Sequence, residues 1–160
     1  MQNHDDMDAA HDHVSLLAGH GGSGQPVREV VPATALGGGR YRITGSPGFV
    51  EGCAEGDIVQ CNEDGSFHVV ERGPNVCVQI YAEATFPGGV IDDLRAHFRP
   101  LGGLIEGPPA GRFLVVTVPA ASGFPAIKTA MSHCFSALDG VEWQYGNVYG
   151  PNGGPLNWWL

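Results

Sequence analysis

The chain has 160 residues, enough for one sizeable core, and its 42% hydrophobic content is that of a globular protein rather than a disordered one. Its net charge of -9, with eight Lys and Arg in all and Lys128 the only lysine, excludes the clustered cations that nucleic acid or an anionic membrane surface requires. Twenty-five glycines and twelve prolines argue against an all-helical bundle and for short strands joined by turns.

Residues 1–12, MQNHDDMDAAHD, combine charge with little apolar content and are expected to form a disordered acidic tail. They lack the basic and apolar regions of a secretory signal, and no apolar run in the chain approaches the roughly 18 residues of a membrane span. A cytoplasmic location is therefore expected. Cys53, Cys61, Cys77 and Cys134 show no CxxC spacing, and four reduced, mostly buried thiols are expected.

HVSLLAG (13–19), VREVVPATAL (27–36) and RYRITG (40–45) alternate as strands, with Tyr41 and Ile43 on one face and Arg40, Arg42 and Thr44 on the other. DIVQC (57–61) and SFHVVER (66–72) flank the turn NEDG and form a hairpin, because Asp-Gly between apolar runs supplies the required backbone. Residues 13–74 thus make a β-rich half, expected to curl into a small antiparallel barrel or to pack against a second layer. From Asn75 the pattern changes. A strand is followed by a helix with Ile91, Leu94 and Phe98 at helical spacing, ended by Pro100 and the glycine pair after it. LIEG and RFLVVTVPA are strands, the second apolar throughout as a central strand would be. FPAIKTAMSHCFSALDG (124–140) is a helix whose stripe holds Ile127, Met131, Cys134, Phe135 and Leu138. VEWQYGNVYG (141–150) closes as a strand. The fold class expected is α+β, a barrel-like N-terminal half followed by a ferredoxin-like βαββαβ half over 75–150. In it two helices cover one side of a four-stranded layer and leave the other side free. An apolar tail, PNGGPLNWWL, occupies 151–160.

From about His13 to Gly150 the chain resembles an uncharacterised bacterial family, domain of unknown function 4265. LGGGRYRITGSPGFVEGCAEGDIVQC, FHVVERGPNVCVQI and VVTVPA carry the resemblance in order and spacing. Family members often have Gly-His-Ser after the Glu-Arg pair, where Gly73-Pro74-Asn75-Val76 stands here, so any role of that histidine is not shared. The resemblance implies a fold and no activity.

The glycine-rich stretch around Gly48, Gly52 and Gly56 leads into another strand rather than a helix, and it contains no GK[ST]. Turn chemistry is expected there rather than a phosphate cradle. His4, His11 and His13 lie among carboxylates without a zinc-binding spacing, and neither metal nor other cofactor is expected. His133 and Cys134 are adjacent, but neighbours on a helix diverge and need help from another element to act as base and nucleophile. Glu51, Glu55 and Asp57 share one loop, with His68 on the neighbouring strand, and could supply acid/base chemistry if burial splits their pKa values. Trp143, Tyr145 and Tyr149, with Val141 and Asn147, fall on one face of the last strand by period-two spacing. That row is either core against the helices or, on the open side and joined by Trp158 and Trp159, a stacking wall for a flat apolar ligand or a peptide.

The function expected first is a non-catalytic cytoplasmic binding protein for a small molecule, peptide or protein partner. A competing expectation is a small cofactor-independent cyclase or isomerase in natural-product or peptide tailoring, drawing on His133, Glu142 or the loop acids. A third is an immunity-type or accessory protein whose tail docks in a second copy to give a homodimer.

Overall fold

A computed structural model describes residues 13–107 and 111–160. The expected acidic tail, with His4 and His11, lies outside the described residues. Among the described residues the fold is mixed α+β, with two antiparallel sheets and two α-helices. Among the described residues no helix is long and apolar enough to cross a membrane.

The first sheet holds β1 (His13–His20), β2 (Pro26–Gly37), β3 (Arg40–Ile43), β4 (Ile58–Cys61) and β5 (Phe67–Glu71) in sequential order. It is not closed into a barrel. The reason lies in β2, which pairs with β1 over Pro26–Pro32 and with β3 over Ala33–Gly37. Passing one strand between two neighbours turns the sheet without bringing its ends into a ladder. β1 meets the β4–β5 turn instead through the Leu17 N–H, which donates to the Gly65 carbonyl at 2.8 Å. Strand alternation buries Val14, Leu16, Val31, Ala33, Ile43 and Val59 on one face.

The second sheet contains β6 (Asn75–Ala82), β7 (Leu104–Glu106), β8 (Phe113–Pro119) and β9 (Val141–Tyr145) in the order β7-β8-β6-β9. Helix α1 (Val90–Phe98) lies between β6 and β7 in the chain, and α2 (Phe124–Phe135) between β8 and β9. Leu114 to Val118 are all buried, as befits an internal strand covered on both faces. Val90, Leu94 and Phe98 recur every fourth residue on α1, and Ile127, Ala130, Met131 and Phe135 form the buried stripe of α2. They meet Val76, Val78, Ile80, Leu114, Val116 and Val118 in the main core. The second helix stops at Phe135 rather than continuing to Gly140; Leu138 reaches the core from the turn beyond it. Cys134, expected on the buried stripe, is half-buried at its margin, because the stripe runs through Ala130 and Met131.

The opposite face of this sheet is not free, contrary to the expectation from sequence. The segment between β3 and β4 lies across it. Ser46 Oγ and Thr117 Oγ1 share a buried hydrogen bond at 2.6 Å, and the Gln79 amide donates to the carbonyls of Pro47 (3.1 Å) and Val50 (2.8 Å). Ala54 packs on Cys77 and Val115, while Val50 and Cys53 point into the core of the first sheet. Residues 45–57 are therefore a layer shared by both sheets. On this face Gln79 and Thr117 bond to that segment instead of awaiting a ligand, while Glu142 and Gln144 of the edge strand β9 stay exposed.

Candidate functional site

Cross-strand partners share a face, and the β6–β9 register pairs Ile80 with Trp143 and Val78 with Tyr145. Both aromatics therefore lie on the helix side, half-buried against the main core. Tyr149 does not continue their row, because β9 ends at Tyr145. There the buried Asn147 side chain replaces the ladder, its Oδ1 accepting the Cys77 N–H (3.0 Å) and its Nδ2 donating to the Asn75 carbonyl (2.9 Å). The backbone leaves the sheet at this point and turns back. Gly150 N–H bonds the Gly154 carbonyl, Leu156 N–H bonds the Val148 carbonyl, and Tyr149 bridges Pro155.

This return delivers the tail tryptophans to the body of the same chain. Trp158 Nε1 donates to the Asn147 carbonyl at 2.8 Å, and the Arg72 guanidinium lies 5.6 Å from its ring centre. Trp159 stands edge-on to Phe124 (5.1 Å) and to Trp158 (5.5 Å); Phe124 in turn meets Tyr145 (5.4 Å), which meets Trp143 (5.4 Å). All four contacts have interplanar angles of 73° to 90°, the edge-to-face arrangement that ring quadrupoles favour. Beside this chain of rings is a cleft of about 460 Å³ lined by Phe124, Lys128, Tyr145, Tyr149, Pro155 and Trp159, within the size range of small-molecule sites. Burial, reinforced by the neighbouring Tyr149, holds the Tyr145 hydroxyl pKa above the usual phenol value, so it stays protonated at neutral pH.

Glu51 and His68, both exposed, face one cleft beside the tail. With Arg72, Phe67, Tyr149 and Leu156 they line this second cleft, of about 600 Å³. Asp57 does not join them. It is fully buried and accepts from the N–H groups of Gly73 (2.7 Å) and Ala54 (3.0 Å) and from Arg72 Nη1 (3.4 Å). Burial raises its pKa and these donors pull the other way, with a net upward shift. Its contacts make it a fastener of the shared segment. Glu142 is exposed and lines a third cleft, of about 490 Å³, with Phe49, Tyr81 and Phe113. His133 is exposed on α2, and its ring stacks on His97 of α1 at 5.0 Å. From the other helix His97 approaches Cys134, with its Nδ1 3.8 Å from Sγ. His97 Nδ1 is also 2.8 Å from the Asp93 carbonyl, to which it must donate. That nitrogen therefore cannot take a proton from the thiol, whose pKa burial raises. All four cysteines are free; burial pushes Cys53 well up and Cys77 up to about 12.

The glycine-rich segment combines turn chemistry with anion binding. Gly52 and Gly56 have φ of 109° and 97°, a left-handed backbone that side chains disfavour. Gly48 is different: its N–H and those of Phe49 and Val50 all donate to the Glu29 carboxylate, at 2.7, 2.9 and 2.8 Å. The three successive amides form a concave anion site filled by the protein's own side chain. Sequence reading missed this ligand, since Glu29 lies on a distant strand.

The family model described as Domain of unknown function (DUF4265) matches residues 29–140. The chain belongs to this family. A crystal structure of a hypothetical protein from Neisseria gonorrhoeae shares the fold of this DUF4265 chain, with a TM-score of 0.64 at 18% identity over 84% of this chain and 93% of that one. No curated protein matches. The DUF4265 match ends before Tyr145, Tyr149, Pro155 and Trp159, so the aromatic cleft is assembled from both matched and unmatched sequence. Of its lining, Phe124, Lys128 and Pro155 escaped sequence reading. The available signal was the four-residue spacing of Phe124 and Lys128, which puts both on one face of α2.

Proposed function

We propose that this protein is a non-catalytic binding protein of the cytoplasm whose ligand, a small molecule or a peptide, occupies the cleft of Phe124, Tyr145, Tyr149 and Trp159. The observation that carries this reading is the cleft itself, an aromatic-walled cavity of about 460 Å³ completed by the folded-back tail. The order β7-β8-β6-β9, with residues of both helices meeting one face of the sheet, supports a ferredoxin-like arrangement for this half. Its strands and α2 supply one wall of the cleft and the tail supplies the other. Tryptophan fluorescence titration with neutral naphthalene derivatives provides the test. Saturable quenching that disappears in Phe124→Ala and Trp159→Ala is expected. Unchanged emission together with an unchanged melting temperature across the series overturns the proposal.

A second reading rests on Glu51, His68 and Arg72 lining one cleft of about 600 Å³, residue types able to move a proton beside a cation. It makes the protein a cofactor-independent acid/base enzyme. Turnover on a metabolite pool that falls about a hundredfold or more in Glu51→Gln or His68→Asn, with melting temperature preserved, would favour it over pure binding.

A further inference from the structure

The cleft has a chemical polarity that its aromatic walls alone do not supply. Lys128, the only lysine in the chain, stands at its rim one helical turn beyond Phe124. Among the described residues no Asp or Glu lines the cavity, and α2 carries no acidic residue in its first turn. Among the described residues the ion pairs join Arg72 to Asp57 and Arg95 to Asp92, so the Lys128 ammonium has no salt-bridge partner there. The other lining side chains that carry polar groups are Tyr145, Tyr149 and Trp159, each able to donate a hydrogen bond. In a protein with net charge -9, a cleft whose described lining holds one cation, neutral donors and no acidic side chain is a local reversal of sign. General electrostatics then favours a ligand with an apolar body and one anionic end.

We infer that the ligand is an aromatic or flat apolar carboxylate, its ring system laid against the wall that Phe124, Tyr145 and Trp159 form together and its carboxylate paired with Lys128. This inference rests on the proposed binding function and narrows it to one ligand class. A flat body lying against these rings gains apolar contact and quadrupole interactions, whereas the carboxylate at the rim keeps part of its hydration and avoids the penalty of full burial. The pair is half-solvated, so its contribution is modest and salt-sensitive.

The probes are 2-naphthoate and its neutral isostere 2-naphthamide, titrated at low ionic strength into the full chain and into Lys128→Met and Lys128→Arg. Lys128 is exposed, so neither substitution disturbs the core. The expected result is a Kd for naphthoate about tenfold below that for naphthamide, equivalent to about 1.4 kcal/mol. That preference should vanish in Lys128→Met, return in Lys128→Arg and shrink as salt is raised. Equal affinities in the wild type, or a preference that survives Lys128→Met, overturn the inference while leaving the binding reading intact. If neither probe binds, and no peptide with a free C-terminal aromatic residue binds either, both fall. A peptide with a free C-terminal aromatic residue that binds in a Lys128-dependent way where naphthoate does not would overturn the small-ligand assignment in favour of a peptide terminus.

Discussion

Replacing Glu29 by alanine removes the carboxylate that receives three successive backbone N–H groups from the segment lying between the two sheets. Its Oε2 takes the Gly48 N–H and its Oε1 takes those of Phe49 and Val50. Hydrogen bonds to a charged group contribute about 1.5–3 kcal/mol each when shielded. The Phe49 amide is exposed and regains water on mutation, whereas Val50 is 1% exposed and its amide does not. Counting one full loss and two partial ones gives about 2–4 kcal/mol. For a domain of this size that is a fall of about 4–16 °C in melting temperature. Glu29→Gln keeps one acceptor oxygen but turns an amide donor toward a backbone N–H, and should lose roughly half as much. Urea and thermal unfolding measure both, and hydrogen exchange at Gly48, Phe49 and Val50 should accelerate in step. A Glu29→Ala protein within about 0.5 kcal/mol of wild type, with unchanged exchange at those amides, would refute the reasoning that this carboxylate orders the segment.

Three further outcomes follow from particular contacts. Because burial raises the Asp57 pKa above its unfolded value, the stability of wild type relative to Asp57→Asn is greatest below the ordinary aspartate range and declines as pH rises through the raised value; urea midpoints across that window check it, and a difference that grows with pH counts against it. In Gly73→Ala a new Cβ would meet the Gly56 backbone at 2.5 to 2.8 Å, so a loss of about 2 kcal/mol or more is expected from chemical denaturation, since two backbones cannot yield as a flexible side chain would. Trp158→Phe deletes the indole donor to the Asn147 carbonyl and should cost about 1 kcal/mol by thermal unfolding, with a blue-shift or loss of the corresponding emission component.

The elements were legible where local chemistry decides them. Asp64-Gly65 between apolar runs marks the β4–β5 hairpin because the turn needs that dipeptide, and Val90, Leu94 and Phe98 mark α1 because one helical face must be dry. The end of β9 was not legible. VEWQYGNVYG alternates through Tyr149, yet Asn147 finds a better use bonding two groups of β6 than standing in the row. A sequence gives no warning of bonds made to residues seventy positions away. The same holds for the site. Trp143 and Tyr145 were identifiable as an aromatic row, and Trp158 and Trp159 as rings that could join it. Their assembly around Phe124 and Lys128 depends on the reversal at Gly150–Gly154, which is a tertiary event. The free sheet face was misjudged for a related reason. Nothing in GSPGFVEGCAEGD advertises that a loop of small residues and glycines is thin enough to slide between two sheets and polar enough to satisfy Gln79 and Thr117.

That interposed segment makes dissection of the chain asymmetric. A polypeptide ending at Gly73 would carry Ser46, Pro47 and Ala54 with nothing to lie upon, and one beginning at Pro74 would present Cys77, Gln79 and Thr117 to water. The pieces are complementary rather than autonomous, so co-expressing them should restore a native-like particle where separate expression yields aggregates. Engineers seeking an insertion point would do better at the exposed Gly21–Gly24 hairpin tip than anywhere between the two sheets.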